Sequence, residues 1–105
     1  MIDEQKLDRA MNYLAETDET CAELKANVAR TDYLAKVAEA LAFNLCEGSN
    51  DVRKNEARVA APVREAWEAH FSAMKAYEVV RARRERAILT IEVWRTISAN
   101  RRLAA

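Results

Sequence analysis

The sequence contains very few of the residues that commonly turn a chain. It has one glycine, Gly48, and one proline, Pro62, whereas average usage predicts about seven and five in a chain of this length. Turns are therefore scarce, and the elements between them must be long. Alanine, glutamate, arginine and leucine, which favour helix at exposed positions, are abundant. This composition predicts an all-α protein and excludes folds that need many tight turns.

Residues that carry enzyme or metal chemistry are also few. His70 is the single histidine, and Cys21 and Cys46 are the two cysteines. No metal-ligand motif, glycine-rich phosphate loop or nucleophile elbow occurs in the chain. On one intact helix the cysteines would lie about 38 Å apart at about 1.5 Å per residue, beyond the ~7 Å that a disulfide spans. We expect a non-enzymatic protein without metal or cofactor, in which His70 is packed and both thiols are free in a reducing compartment.

Long hydrophobic runs are absent as well. No stretch approaches the ~18 apolar residues of a membrane span. The first residues, MIDEQKLDRAMNYL, are too acidic and too interrupted for a secretory signal. We therefore expect a cytoplasmic protein without a membrane partner.

Apolar residues recur every three or four positions along most of the chain, which is the pattern of amphipathic helices. EGSND interrupts this pattern, with Gly48 suited to a helix end and Ser49 or Asn50 suited to cap the next helix. Pro62 favours a new helix at its first turn. The expectation is a long antiparallel, coiled-coil-like helical hairpin with a short helix at its elbow. We expect one domain, residues 1–105, with a helix over 3–46, a turn over 47–50, a short helix over 51–60 and a helix over 62–102.

The first helix has one weak point, ETDET at residues 16–20. Asp18 occupies a position where the apolar stripe requires an apolar residue, and Thr20 to Glu23 has the form of a capping box. A continuous helix is the preferred prediction. The alternative is a break at ETDET, with the chain folding into a four-helix monomer.

When two long helices pack against each other, part of the broad apolar stripe on each helix still faces water. Exposed apolar surface of this kind usually marks association with another chain. We therefore expect an obligate homo-oligomer that closes an oligomeric helical bundle with helices from several chains. The predicted oligomer interface consists of Leu24, Val28, Leu41, Leu45, Trp67, Phe71, Tyr77, Ile88 and Ile91.

Charge is balanced overall but not along the chain. There are 17 acidic and 17 basic residues, with acidic residues in excess in the first half and arginine in excess in the second. The segment VRARRERAILTIEVWRTISANRR and the residue after it are rich in arginine, which is favoured where planar contact with carboxylate or phosphate is needed. In an antiparallel hairpin, residues 81–86 would lie opposite ETDET, so that some arginines are neutralised there and others, notably Arg83 and Arg86, are left over.

Trp94 lies beside Arg95 in the same segment, where an aromatic ring next to guanidinium groups can stack on bases. A packed core position is the alternative for this tryptophan. Arg53 and Lys54 form a second basic group near the elbow. The predicted nucleic-acid contacts are Arg53, Lys54, Arg81, Arg83, Arg84, Arg86, Trp94, Arg95, Arg101 and Arg102.

The order of these parts resembles small helical proteins of bacteriophages. EGSNDVRKNEARVA corresponds to a glycine turn and short charged helix, AWEAHFSAMKAY to an aromatic-rich helix middle, and RARRERAILTIEVWRTISANRR to a basic, aromatic end. In outline the chain is similar to UvsY-type recombination mediators over residues 47–102, while the first 46 residues match only in being helical. The resemblance implies a ring-like oligomer that binds single-stranded DNA, helps to load a recombinase and acts in the cytoplasm of a bacterial host.

Two functions follow from these observations. The first is an oligomeric protein that binds single-stranded nucleic acid through arginine-rich helix faces. The second is a structural or adaptor coiled coil whose partner is another protein, with its arginines paired to acidic residues in the same or a neighbouring protomer.

Overall fold

The structure, a computed structural model, describes residues 3–104. Three helices make up the chain: α1 (Glu4–Leu45), α2 (Asn50–Val59) and α3 (Ala61–Ala104). The described residues contain no strand, so the all-α prediction is confirmed. Each helix begins and ends within about two residues of the position expected from the sequence. No helix in residues 3–104 has the length and apolar character that crossing a membrane requires.

Helix α1 continues through ETDET without a break. The side chain of Thr17 donates a hydrogen bond from Oγ1 to the Tyr13 carbonyl oxygen at 2.6 Å, an arrangement that threonine adopts inside helices. Asp18 is exposed, so its carboxylate needs no place in an apolar core. The four-helix alternative, which required a break here, is not the structure observed.

The turn between α1 and α2 is formed by the residues that the sequence nominated. Gly48 has a φ of 114°, a conformation that side-chain-bearing residues rarely adopt. Ser49 is the N-cap of α2, and its Oγ accepts a hydrogen bond from the Val52 backbone N–H at 3.3 Å. The cap satisfies one of the amide groups that have no partner within a helix's first turn.

Helix α3 starts almost without a connection from α2. Ala60 ends α2 in an extended conformation, and its carbonyl oxygen accepts hydrogen bonds from the backbone N–H groups of Val63 and Arg64 at 3.1 and 3.0 Å. Pro62 lies in this first turn, where its missing N–H would have had no helical partner. The proline thus separates two helices at no loss of hydrogen bonding.

Contacts divide the described chain into two compact units. Unit 2 is Glu23–Tyr77, and unit 1 combines Met1–Ala22 with Glu78–Ala105, of which residues 3–22 and 78–104 are described. Helices α1 and α3 contribute to both units, whereas α2 belongs to unit 2 alone.

In unit 2 the segments of α1 and α3 run antiparallel, with α2 packed beside them. The centre of the contact consists of small side chains, since Ala35 and Val63 are fully buried and Ala57 and Ala73 are nearly so. Small side chains allow helices to approach closely, but each removes little apolar area from water. The fully buried core of this unit therefore contributes little buried apolar area.

Two polar bridges join α1 to α3 within unit 2. The Thr31 hydroxyl lies 3.0 Å from Nδ1 of the buried His70. The Trp67 indole N–H donates to Glu39 Oε1 at 2.8 Å. Buried polar groups are costly unless they are paired, so these bridges select one register between the two helices.

Unit 1 has fewer buried residues. Ala10 of α1 and Ala87 of α3 are its buried apolar side chains among residues 3–22 and 78–104. Arg84 of α3 reaches Asp18 of α1. Higher numbers on α1 thus pair with lower numbers on α3, so the two segments of this unit are also antiparallel.

Replacing Ala35 by leucine tests the close helix contact in unit 2. Ala35 is completely buried, and added bulk at a packed position typically costs about 1–3 kcal/mol. We expect a Ala35→Leu variant to have a lower midpoint of urea unfolding, measured by circular dichroism. Ala29→Leu, at an exposed position of the same helix, is the matched control and is expected to change stability by at most about 0.5 kcal/mol. Equal midpoints for the two variants would contradict a tight contact at Ala35.

Candidate nucleic-acid interface

A groove of about 510 Å³ lies between α1 and α3 of unit 1. The buried Ala10 and Ala87 are among the residues that line it, and Tyr13 supplies an aromatic ring. The lining is otherwise polar or basic and includes Thr90, Lys6, Arg9, Arg83 and Arg86. We refer to this feature as the basic groove.

The charge of the basic groove has one sign. Four of its lining residues are cationic, and none of those described is aspartate or glutamate. Two of the cations come from α1 and two from α3, so the tertiary structure assembles the positive charge from distant parts of the sequence. Such a concentration of one charge attracts polyanions.

Arg83 and Arg86 are the arginines of the groove that the sequence had nominated as left over. Both are exposed. The guanidinium groups of Arg83 and Arg86 form no ion pair or hydrogen bond with a side chain in residues 3–104. Arg9, also in the groove, donates from Nε to the Gln5 carbonyl oxygen of its own helix at 3.4 Å. The donors of Arg83 and Arg86 therefore remain available to a ligand.

Arg84, between them in sequence, has a structural role. Its Nη2 lies 2.6 Å from Asp18 Oδ1. Its Nη1 donates to the Leu14 carbonyl oxygen at 2.9 Å and to Thr17 Oγ1 at 2.7 Å. The side chain is only 20% exposed. The predicted pairing of the arginine cluster with ETDET thus occurs at Arg84, which is occupied in joining α3 to α1.

Arg81 is paired within its own helix. Its guanidinium lies 2.8 Å from Glu78 Oε2 and 2.7 Å from Glu85 Oε1, one turn away on either side. These side chains are about half exposed, and exposed pairs of this kind contribute only ~0–1 kcal/mol each. Arg81 therefore carries less net positive charge toward a ligand than Arg83 or Arg86.

The other predicted contacts lie outside the basic groove. Arg53, in unit 2, donates from Nε and Nη2 to the Phe43 carbonyl oxygen, both at 3.2 Å, and its guanidinium carbon lies 4.0 Å from the centre of the Phe43 ring. Lys54 is exposed on α2. Trp94 is half-buried in α3, and Arg95, Arg101 and Arg102 are exposed further along the same helix.

Three basic or aromatic residues of the groove were not predicted from the sequence: Lys6, Arg9 and Tyr13. These residues can be identified from the register, that is, from which turns of α1 lie opposite which turns of α3. The pairing that places ETDET opposite the arginine cluster also places the preceding turns of α1 opposite Arg83 to Thr90. The net acidic charge of the first half drew attention away from these two isolated basic residues.

The predicted oligomer interface is only partly exposed in the single chain. Leu41, Leu45, Phe71 and Ile88 expose 61, 86, 55 and 45% of their surface. The remaining members, Leu24, Val28, Trp67, Tyr77 and Ile91, are half-buried. Several further large apolar side chains that the prediction had omitted are also exposed, among them Tyr33, Leu34, Leu89 and Leu103.

The histidine and the cysteines form no recognisable chemical site. His70 is buried against Thr31 and packs edge-on to Trp67. Cys21 and Cys46 are free thiols. Burial raises the pKa of the Cys46 thiol, a hydrogen bond and the negative charge of Glu56 raise it further, and Arg53 partly offsets them. Residues 3–104 contain no cluster of three or more histidine, cysteine or acidic side chains able to hold a metal ion.

Comparison with known proteins finds no matching protein-family model, no similar curated protein and no similar solved structure. The resemblance to UvsY-type mediators stays a prediction from the residues that carry it.

Replacing Arg84 or Arg83 by alanine separates a structural arginine from an available one. Arg84→Ala removes three contacts to α1, and we expect it to lower the free energy of unfolding by about 1–2 kcal/mol. Arg83→Ala, one residue away and without such contacts, is expected to stay within about 0.5 kcal/mol of the unmodified chain. Urea unfolding followed by circular dichroism measures both. If Arg83→Ala proved the more destabilising change, the assignment of the two roles would be wrong.

Proposed function

We propose that this protein is a non-enzymatic, oligomeric helical protein that binds single-stranded nucleic acid along the basic groove. The observation that carries the proposal is the convergence of Lys6, Arg9, Arg83 and Arg86 around Tyr13 without an acidic side chain among the described lining residues. The full arrangement that we propose is an antiparallel helical hairpin with α2 at its elbow, assembled into a helical bundle of several chains.

The electrostatic part of the proposal rests on arginine donors. The Arg83 and Arg86 guanidinium groups can each contact a phosphate through two parallel N–H groups. Neutralised phosphates release counterions, which makes such binding favourable at low salt and steeply weaker at high salt. In an oligomer every groove is repeated, and repeated weak contacts with one polymer give a higher overall affinity.

The preference for a single strand rests on Tyr13. Bases in a duplex are stacked on each other and present only their edges, whereas an unpaired base can stack on an aromatic ring. Tyr13 lines the groove beside the buried Ala10 and Ala87. A strand with its phosphates along the cations can therefore place a base against the ring, a combination typical of single-strand binders.

The proposed role extends the resemblance described above. A protein that covers single strands as a multivalent assembly suits an accessory function in phage recombination, with a recombinase as the protein partner. Arg95, Arg101, Arg102 and Trp94 would then continue the contact surface along α3.

Alanine at both Arg83 and Arg86 tests the proposal. We expect the double variant to bind a fluorescent single-stranded oligonucleotide more weakly than the unmodified chain. The slope of log affinity against log salt should fall by about 1.4, at about 0.7 for each lost contact with a single strand. Fluorescence anisotropy over a range of salt concentrations provides both quantities.

The matched control is Lys25→Ala with Arg30→Ala, which removes the same charge from exposed positions of unit 2. We expect this control to retain most of the affinity and the salt slope. A duplex of the same sequence should bind more weakly than the single strand. Absence of binding at low ionic strength, or binding that does not respond to salt, would overturn the proposal.

A second candidate function is favoured by the exposed apolar side chains. Leu34, Leu41 and Leu45 follow a heptad-like spacing on α1 and are all exposed, which is the pattern of a helix seam that another helix can cover. In this alternative the protein is a structural or adaptor coiled coil with a protein partner. Arg83 and Arg86 would pair with acidic residues of a neighbouring protomer, and their replacement would lower the melting temperature.

Leu41→Asp tests the association on which both functions depend. Leu41 is 61% exposed, so the change leaves the buried core intact but places a charge on the proposed seam. We expect the unmodified chain to have a solution mass several times 11.9 kDa by light scattering, and Leu41→Asp to lower that mass. Asn44→Asp, at an exposed position of the same helix, is the control that should leave it unchanged.

Adding a short single-stranded oligonucleotide to the same measurement separates the two functions. A nucleic-acid binder gains the mass of bound oligonucleotide, whereas an adaptor does not. A mass of one chain for the unmodified protein would refute the oligomer in both versions.

A further inference from the structure

A second concavity, of about 330 Å³, lies in unit 2 where α2 packs against α1. We refer to it as the α1–α2 cleft. It is separate from the basic groove, since it shares no lining residue with that groove. Three cations line it: Lys36 from α1 and Lys54 and Arg58 from α2.

Positive charge exceeds negative charge among the residues that line the α1–α2 cleft. Lys54 and Arg58 are four residues apart on α2, where like charges oppose each other. Neither forms an ion pair within residues 3–104, whereas Lys36 lies 2.9 Å from Asp32 Oδ2. Glu39, the acidic residue among those lining the cleft, accepts the Trp67 indole N–H through Oε1. Lys54 and Arg58 thus form a cationic pair that makes no ion pair of its own within the described part of the chain, in a cleft whose lining residues include three cations and one carboxylate.

The remaining surface of the α1–α2 cleft is apolar. Ala40 and the buried Ala57 contribute small side chains, and Phe43 contributes an aromatic ring. Arg53 holds Phe43 from outside the cleft, with its guanidinium 4.0 Å from the ring centre and two hydrogen bonds to the Phe43 carbonyl oxygen. The ring is therefore positioned before any ligand arrives. The volume is near the lower end of the range of about 300–1,000 Å³ for ligand pockets.

We propose that the α1–α2 cleft binds one nucleotide unit, with its phosphate between Lys54 and Arg58 and its base against Phe43 and the alanines. The phosphate chemistry is shared by two sources, a free nucleotide and a nucleotide within a strand. Arg58 supplies the planar donor fork and Lys54 the point charge that phosphate sites combine. This site extends the proposed function but stands without it, because its residues belong to unit 2 alone.

Nuclear magnetic resonance titration of the isotope-labelled full chain at low ionic strength tests the site. We expect adenosine monophosphate to shift the backbone amide signals of residues 36–43 and 54–58. Adenosine, which lacks the phosphate, and inorganic phosphate, which lacks the base, should each bind at least tenfold more weakly than adenosine monophosphate. Lys54→Ala with Arg58→Ala should weaken adenosine monophosphate at least tenfold, while the Lys25→Ala and Arg30→Ala control should not. Circular dichroism verifies that each variant is folded.

The outcomes separate the two sources and the two sites. Equivalent shifts with a short single-stranded oligonucleotide but not with the mononucleotide support the site and assign it to a strand. No shift with either ligand, or inorganic phosphate acting as strongly as the nucleotide, overturns the proposal. The Arg83→Ala and Arg86→Ala variant should retain the cleft signals, and the Lys54→Ala and Arg58→Ala variant should retain the groove signals, so failure at one site is distinct from failure at the other.

Discussion

The most deeply buried positions between the helices of this protein are occupied largely by alanine. Ala35, Ala57 and Ala73 in unit 2, and Ala10 and Ala87 in unit 1, are the positions where the helices approach. A methyl group permits a short distance between helix axes but removes little apolar surface from water, at about 25 cal/mol for each Å² buried. The fully buried positions therefore depend on close geometry rather than on bulk, while large apolar side chains lie at the edges of the contact, half-buried, or are exposed.

Because alanine contacts are similar at successive turns, they do not by themselves choose one register between two helices. Polar contacts of specific geometry make that choice. In unit 2 these are the Thr31 hydroxyl with His70 and the Glu39 carboxylate with the Trp67 indole. In unit 1 Arg84 reaches a carboxylate, a hydroxyl and a backbone carbonyl oxygen of α1. A register shift of one helical turn would break these contacts, and the loss of its partner by the buried His70 would cost about 1–3 kcal/mol.

The same register has a consequence for function, because it decides which charges meet. With Arg84 on Asp18, the neighbouring Arg83 and Arg86 are brought alongside Lys6, Arg9 and Tyr13. Arg84 joins α3 to α1 and is not available to a ligand. Arg83 and Arg86 remain exposed to solvent. In unit 2 the packing of Ala57 against α1 likewise aligns Lys54 and Arg58 with Lys36. The basic surfaces thus result from the way the helices pack. They do not reflect a basic composition, because the net charge of the chain is zero.

The sequence by itself determined the helices and their ends. One glycine with a positive φ, one serine cap and one proline in a first turn are local features whose effects do not depend on distant residues. The antiparallel pairing of Asp18 with Arg84 was also within reach, because opposite charges at matching distances from a turn predict it. That Arg83 and Arg86 are left unpaired was predicted from the same alignment of charges. Tertiary structure alone decided that Tyr13 and two isolated basic residues of an acidic segment join these arginines, and that Arg53 holds Phe43. The physical reason is that a side chain's availability depends on the partners within a few ångströms, and those partners come from residues up to 70 positions away in the chain.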